Sequence, residues 1–158
     1  MIVPDQRGYN TSSKPSSVSS YRAEPIARDV LGLMESLGRR KAYIVGHDWG
    51  GFVAWYLGNR FPQWVEKLAV LNCPHPSVMR QHLLTNRVQQ KKSWYIFYYQ
   101  LPWLPEWSMR RKNWKFAKKA LQTTSVRGTF SDEEMAKYVE AWSQPGALTA
   151  MIRWYRAG

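Results

Sequence analysis

The chain has 158 residues, of which 44% are hydrophobic, so its length is typical of one domain and its composition is sufficient for a packed core. The net charge of +12 raises nucleic acids and anionic membranes as partners. A lone cysteine, Cys73, excludes an intrachain disulfide and fits a reducing compartment. No run of 18 apolar residues and no signal-peptide pattern is present, so we predict a cytoplasmic protein without a membrane span.

Strand and helix patterns alternate in the first half of the chain. Helical spacing of apolar residues predicts a helix over about Arg22–Leu37, with Pro25 in its first turn and Gly38 as its stop. Two short apolar runs, each followed by a turn, are typical of buried strands. The alternation indicates a parallel sheet in an α/β fold. The predicted elements are a strand end at Met1–Val3, a loop over 10–20, strands at Ala42–Val45 and Leu68–Asn72, and a helix over Phe52–Arg60.

The second half of the chain is predicted to be helical throughout. Ser131 and Glu134 form a capping box, followed by apolar residues at helical spacing. Because strand patterns end near residue 77, we expect two regions: a partial α/β core over 1–76 and a helical cap, or lid, over 77–158. The predicted helices are about Val78–Lys92, Ser93–Gln100, Trp107–Gln122, Asp132–Ser143 and Ala147–Arg156.

The segment Gly46-His47-Asp48-Trp49-Gly50-Gly51 lies between a predicted strand and a predicted helix. Such a turn is the position of a nucleophile elbow, which needs small residues two before and two after the nucleophile because side chains there would collide with neighbouring backbone. Gly46 and Gly50 meet that need. Asp48 occupies the position of the nucleophile, near a helix N-terminus that favours a carboxylate. The alternative is a tight structural turn whose Asp begins a helix.

An aspartate nucleophile changes the class of reaction. Attack on an acyl carbonyl would give an anhydride, which gains little, whereas attack on an sp³ carbon gives a stable alkyl ester. The substrate should therefore carry a strained or good leaving group on carbon, as epoxides and alkyl halides do. Water must then attack the ester carbonyl of Asp48 itself.

Several segments, in order along essentially the whole chain, resemble the epoxide hydrolases of the α/β-hydrolase superfamily. The elbow is one, although haloalkane dehalogenases share it. Trp154-Tyr155-Arg156 is similar to the motif that carries the second cap tyrosine of that family. Three further segments are similar to family motifs: Pro4-Asp5-Gln6-Arg7-Gly8-Tyr9, Leu71-Asn72-Cys73-Pro74-His75-Pro76 and Ser93-Trp94-Tyr95-Ile96-Phe97-Tyr98-Tyr99-Gln100.

The resemblance implies a role for each matched residue. Asp48 is the nucleophile, Gly46, Gly50 and Gly51 form the elbow, and the Trp49 backbone N–H is a donor of the oxyanion hole. Tyr95 and Tyr155 donate hydrogen bonds to the epoxide oxygen and protonate the developing alkoxide, which is costly in a dry pocket without a positioned acid. Trp49 and Trp154 line the substrate pocket. Each tyrosine has a plain alternative as a packing residue.

The resemblance also implies parts that these 158 residues do not supply. The base histidine and its acid partner are expected after residue 158, and the other oxyanion segment before residue 1. The chain is therefore expected to be a central fragment, impaired on its own. His47 is interpreted as structural or pocket-supporting, His75 as a loop residue and His82 as exposed. No metal and no organic cofactor is implied.

The positive charge is concentrated: ten of the 23 Lys and Arg lie between Arg80 and Lys119, with one acid, Glu106. We interpret this segment as the solvated outer face of the cap, with Trp107, Trp114, Ala117 and Leu121 on its inner face. Weak contact with an anionic membrane surface is the next interpretation, and nucleic acid is not expected as a partner. The predicted substrates are a small lipophilic epoxide and water. The alternatives are a haloalkane dehalogenase and a non-catalytic interaction module that uses the basic cap.

Overall fold

The computed structural model describes all 158 residues, which divide into two compact units. Ser19–Tyr95 make up the first, here named the strand unit because it contains both strands. Met1–Val18 and Ile96–Ala157 make up the second, here named the helical unit. The predicted boundary between residues 76 and 77 stays a prediction.

A strand–helix–strand segment is the centre of the strand unit. Strands β1 (Ala42–His47) and β2 (Val65–Leu71) are parallel, with Ile44 opposite Leu68 and His47 opposite Leu71. The predicted parallel pairing is confirmed, and each strand lies within three residues of its predicted bounds. The helices of this unit are α1 (Ala23–Ser36), α2 (Trp49–Arg60), α3 (Pro76–Thr85), α4 (Arg87–Lys92) and the first residues of α5 (Trp94–Tyr98).

Helix α2 packs between the sheet and helix α1. Its residues Val53, Ala54 and Leu57 are buried, as are Ile26 and Ala27 of α1. The opposite face of the strand pair carries exposed Tyr43, Val45 and Leu71, which alternate with residues turned toward α2. Because α2 packs on one face of the strand pair, the turn between β1 and α2 leads the chain onto that face.

The helical unit has its own core. Buried Trp114, Ala117, Leu148 and Ile152 form a cluster, against which partly buried aromatic and aliphatic residues pack. Ser131 and Glu134 form the predicted capping box, with both reciprocal hydrogen bonds present. The long helices of this unit are α6 (Leu104–Thr123), α7 (Asp132–Ser143) and α8 (Ala147–Ala157).

Met1–Val3 and Val78–Lys92 are two of the predicted elements that differ from the structure. Met1–Val3 does not form a strand and is exposed. The helix predicted over Val78–Lys92 is two helices, because Asn86 has extended backbone and its side-chain oxygen accepts from the N–H groups of Val88 and Gln89. An asparagine that caps a new helix in this way ends the preceding one.

Helix α6 contains a break in its helical backbone. Arg111 is extended, and Lys112, Asn113 and Trp114 have positive φ. The break interrupts the spacing that placed Trp107 and Trp114 on one face, so Trp114 is buried whereas Trp107 is 52% exposed. The prediction that Trp107 lies on the inner face was therefore wrong, and that for Trp114 and Ala117 is confirmed. None of the helices is sufficiently long and apolar to cross a bilayer.

Candidate active site

Asp48 lies between β1 and α2, in a backbone conformation that is rare for a residue with a side chain. Its φ is 52° and its ψ is −121°. Such a conformation costs about 1–3 kcal/mol and persists only where the surroundings fix it. Here the Asp48 N–H donates to the Leu71 carbonyl at 3.3 Å and its carbonyl accepts from the Phe52 N–H at 3.1 Å. Strand and helix together hold the strained turn.

Two glycines near Asp48 lie where the backbone or side chains of other residues approach too closely for a Cβ atom. A Cβ on Gly46 would collide with the backbone carbonyl of Gly50, and a Cβ on Gly51 would lie 2.6 Å from the Cβ of Cys73. Neither contact is compatible with a larger residue unless the backbone shifts. The close approach predicted for Gly46 is thus present, and Gly51 makes a second one against the end of β2.

The Asp48 side chain makes no capping hydrogen bond to α2, although Asp48 is the N-cap residue. Asparagine and aspartate at this position usually accept from N–H groups of the first turn. The carboxylate is exposed and is not used to cap the helix. A purely structural role for Asp48 at the start of α2 therefore has no support from its hydrogen bonds.

Trp49 is the first residue of α2, next to Asp48. The N–H groups of a first turn have no carbonyl partner within their own helix, and the helix dipole makes them suited to negative charge. The Trp49 indole is partly buried and meets the Phe52 ring edge-on, with centroids 5.5 Å apart. The position of Trp49 is compatible with both of its predicted roles, as a backbone donor of the oxyanion hole and as a residue that lines the substrate pocket.

Tyr95 is half-buried in the same unit as Asp48. Burial raises the pKa of the Tyr95 hydroxyl, and the Asp48 carboxylate raises it further. Since the second cause is electrostatic, the two groups lie within range of each other's charge. Tyr95 therefore keeps its proton throughout the neutral pH range and can act as a donor near Asp48.

The two neighbouring tyrosines have other partners. The Tyr98 hydroxyl hydrogen-bonds with Ser108, and the Tyr99 ring packs on Tyr155 with centroids 4.6 Å apart. Both interactions fall within the helical unit. They assign packing roles to Tyr98 and Tyr99, which the sequence pattern could not separate from Tyr95.

Trp154 and Tyr155 belong to the helical unit. Trp154 is 1% exposed, and its indole N–H donates to the Arg7 carbonyl at 3.0 Å. These contacts are those of a core residue, and its role in a pocket stays a prediction. Tyr155 is partly buried, and its backbone carbonyl accepts from the Gln100 side chain at 2.7 Å.

Sequence reasoning did not identify the ion pair that holds the end of α8. Arg156 donates to both carboxylate oxygens of Glu106, at 2.8 and 3.3 Å, and to the carbonyls of Tyr99 and Leu101. Both side chains of the pair are at least 80% buried, being 20% and 15% exposed. Arg156 thus fixes the residue next to Tyr155. The available signal was that Glu106 is the one acid among ten cations.

The three histidines differ in their surroundings. His75 is the N-cap of α3: its Nδ1 accepts from the Ser77 N–H, and its Nε2 contacts the Asn59 side chain at 3.0 Å. His47 and His82 are exposed. Both ring nitrogens of His75 are therefore engaged at the start of α3.

Cys73 is a second residue that the sequence did not connect with the site. Burial and the Asp48 carboxylate, in that order, raise the pKa of its thiol. Its carbonyl accepts from the Trp55 indole N–H at 3.1 Å, so the end of β2 is attached to α2. The pKa of the Cys73 thiol therefore depends on the charge of Asp48.

Replacing Asp48 with Asn is expected to lower the pKa of Cys73 toward its ordinary value, because the negative charge that disfavours the thiolate is removed. The measurement is the rate of alkylation by iodoacetamide as a function of pH. Cys73 is the sole thiol, so the signal has one source. The midpoint should move to lower pH in the variant but coincide for both proteins in denaturant. Equal midpoints in the folded proteins would contradict the proximity of the two groups.

Comparison with known proteins places the chain in a family. The model of the alpha/beta hydrolase fold family matches residues 1–144. The Bacillus subtilis AB hydrolase superfamily protein YfhM is 46% identical over 157 residues, covering 99% of this chain and 55% of that protein. Human epoxide hydrolase 4 is 34% identical over 161 residues, covering 99% of this chain and 44% of that protein.

Solved structures agree with the sequence relatives. The crystal structure of a Bacillus megaterium epoxide hydrolase in complex with an inhibitor superimposes with a TM-score of 0.87 at 33% identity, over 96% of this chain and 53% of that chain. The chain spans about half the length of the relatives that it matches.

Proposed function

The chain belongs to the α/β-hydrolase fold family and is epoxide-hydrolase-like within it, and from this premise we propose that it is the part of an epoxide hydrolase that carries the nucleophile. The substrate class is a small lipophilic epoxide, and the products are vicinal diols. The strained backbone of Asp48, whose carboxylate is exposed and makes no helix cap, is the observation that carries the proposal.

The first step is nucleophilic displacement at carbon. A carboxylate oxygen of Asp48 attacks one ring carbon, the C–O bond of the ring breaks, and its electron pair goes to the oxygen. Tyr95 gives its proton to that oxygen, and Tyr155 is the second proposed donor. The result is an alkyl ester on Asp48 with a neighbouring hydroxyl group. Burial and the Asp48 carboxylate raise the pKa of Tyr95. Its hydroxyl therefore stays protonated until the alkoxide forms and accepts the proton.

The second step returns the enzyme to its starting state. Water attacks the carbonyl carbon of the Asp48 ester, and the acyl C–O bond breaks. One proton of the water goes to the leaving oxygen and completes the diol, and the other restores the Tyr95 hydroxyl, so that Asp48 is again a carboxylate. The Trp49 N–H is proposed to stabilise the oxyanion of this step. We propose that none of His47, His75 and His82 is the base that activates the water, since His75 is engaged at both nitrogens and the others are exposed.

The remaining sequence-based expectations stay predictions. These are a cytoplasmic location, a pocket lined by Trp49 and Trp154, and a reaction that needs no cofactor. The epoxide relatives favour this reaction over halide displacement, which would use the same nucleophile.

The test is peptide mass spectrometry after incubation of the chain with an aryl epoxide. We expect one epoxide mass on the peptide that contains Asp48, because ester hydrolysis is slow without a base and none of the three histidines is proposed to act as one. The Asp48→Asn variant should carry no such adduct. The variant Cys73→Ser is included because epoxides also alkylate thiols, and it should leave the Asp48 adduct unchanged.

Two results would contradict the proposal. One is a folded sample that gains no adduct at Asp48. The other is the same adduct on the corresponding peptide of Asp48→Asn, which would indicate unspecific alkylation. An adduct that forms with an alkyl bromide but not with the epoxide would keep Asp48 as nucleophile and assign the chain to halide displacement instead.

A further inference from the structure

The helical unit exposes large aromatic side chains beside its cations. Trp103, Trp107 and Phe116 are 71%, 52% and 45% exposed. Trp103 and Trp107 are one helical turn apart, and Arg111 follows one turn later with its guanidinium 4.3 Å from the Trp107 ring centre. Exposed apolar side chains that cluster often mark an interaction site, and Trp103 and Trp107 are such neighbours.

The second half of α6 repeats this combination. Lys115 and Lys119 lie one turn apart, and Phe116 is adjacent to Lys119 at the i, i+3 spacing. All three are exposed, whereas Ala117 on the other side is buried. Trp103, Trp107, Arg111, Lys115, Phe116 and Lys119 are here named the basic aromatic surface.

The charge of this surface is not compensated within the helix. Glu106 is the sole acid of α6, and its carboxylate is paired with Arg156. None of the six Lys and Arg between residues 110 and 119 forms an ion pair. The surface therefore presents positive charge to a partner that must itself be anionic.

We propose that the basic aromatic surface docks on an anionic lipid bilayer. Lipid phosphate and carboxylate groups are complementary to the cations, and Trp and Phe side chains enter the boundary between headgroups and acyl chains. Exposed aromatic residues beside Lys and Arg on a helix are typical of interfacial binding. A single-stranded nucleic acid would require a groove that follows its backbone, whereas these residues are exposed on the two halves of α6, on either side of its break.

The experiment is sedimentation of the 158-residue chain with vesicles. Vesicles of phosphatidylcholine alone are compared with vesicles that also contain phosphatidylserine, at low and high salt. We expect binding to the mixed vesicles alone, and its loss at high salt. Because each cation near such a membrane contributes about fivefold to binding, Lys115→Glu with Lys119→Glu should weaken it by more than about tenfold.

Two further variants make the test specific. Trp107→Ser with Phe116→Ser leaves the charge unchanged and should also weaken binding, which a purely electrostatic contact would not show. Arg39→Glu with Arg40→Glu makes the same charge change at exposed positions far along the sequence and should retain most of the binding. Circular dichroism checks that each variant is folded.

The proposal fails if the wild-type chain does not sediment with the mixed vesicles. It also fails if the Arg39 and Arg40 variant loses as much binding as the Lys115 and Lys119 variant, since net charge alone would then be responsible. Binding to a single-stranded oligonucleotide, but not to vesicles, would assign the surface to nucleic acid. All three outcomes are independent of ester formation on Asp48.

Discussion

Replacing Tyr95 with Phe is expected to slow formation of the ester on Asp48 by about 10²- to 10⁴-fold, the usual contribution of a positioned general acid. The variant lacks the hydroxyl that we propose gives its proton to the epoxide oxygen. Burial and the Asp48 carboxylate raise the pKa of Tyr95, so the wild-type donor stays protonated at neutral pH and up to its ordinary pKa. Ionisation of Tyr95 should therefore not slow the wild-type reaction below that pH.

The rate of adduct formation at the Asp48 peptide, followed by mass spectrometry, measures this effect. Tyr98→Phe is the matched control: it also removes a hydroxyl from this tyrosine-rich segment, but that hydroxyl hydrogen-bonds with Ser108. The control should react at close to the wild-type rate. Equal slowing in both variants, or a wild-type rate for Tyr95→Phe, would remove Tyr95 from the proposed mechanism.

The turn that carries Asp48 could be predicted because its causes are local. A short apolar run, the glycines Gly46 and Gly50, and a helical pattern all fall between Ala42 and Arg60, and the structure has a strand, a strained residue and a helix there. The parallel pairing of β1 and β2 also followed, since a helix that connects two buried strands returns the chain in the same direction.

Features that depend on residues far apart in the chain could not be predicted from local sequence patterns. The break in α6 lies in the Arg-Arg-Lys-Asn-Trp run of good and moderate helix formers, and tertiary packing overrides their propensity by burying Trp114 against α8. The indole N–H of Trp114 donates to Ser143, which is 29 residues away. A helical periodicity has no means of indicating such a partner.

The Glu106–Arg156 pair is the clearest example of a contact whose partner no local pattern indicates, because its members are 50 residues apart. A segment with ten cations and one acid indicates a solvated face, yet the side chain of that acid is 15% exposed. Sequence patterns indicate whether a residue lies on the buried or the exposed face of its own helix. They do not indicate which charged side chain is buried by packing against a distant segment.

Replacing Arg156 with Met is accordingly expected to lower the free energy of unfolding by about 3 kcal/mol, because it leaves the buried Glu106 carboxylate without its partner. It also removes the donors to the carbonyls of Tyr99 and Leu101. Urea denaturation at neutral pH measures the loss.

Arg28→Met is the control, since Arg28 forms an exposed pair with Glu24 and its guanidinium lies over the Phe61 ring, which together contribute about 1 kcal/mol or less. Glu106→Gln combined with Arg156→Met should recover part of the loss, because the carboxylate is then absent. Equal destabilisation by Arg156→Met and Arg28→Met would show that the pair next to Tyr155 contributes no more than a surface contact.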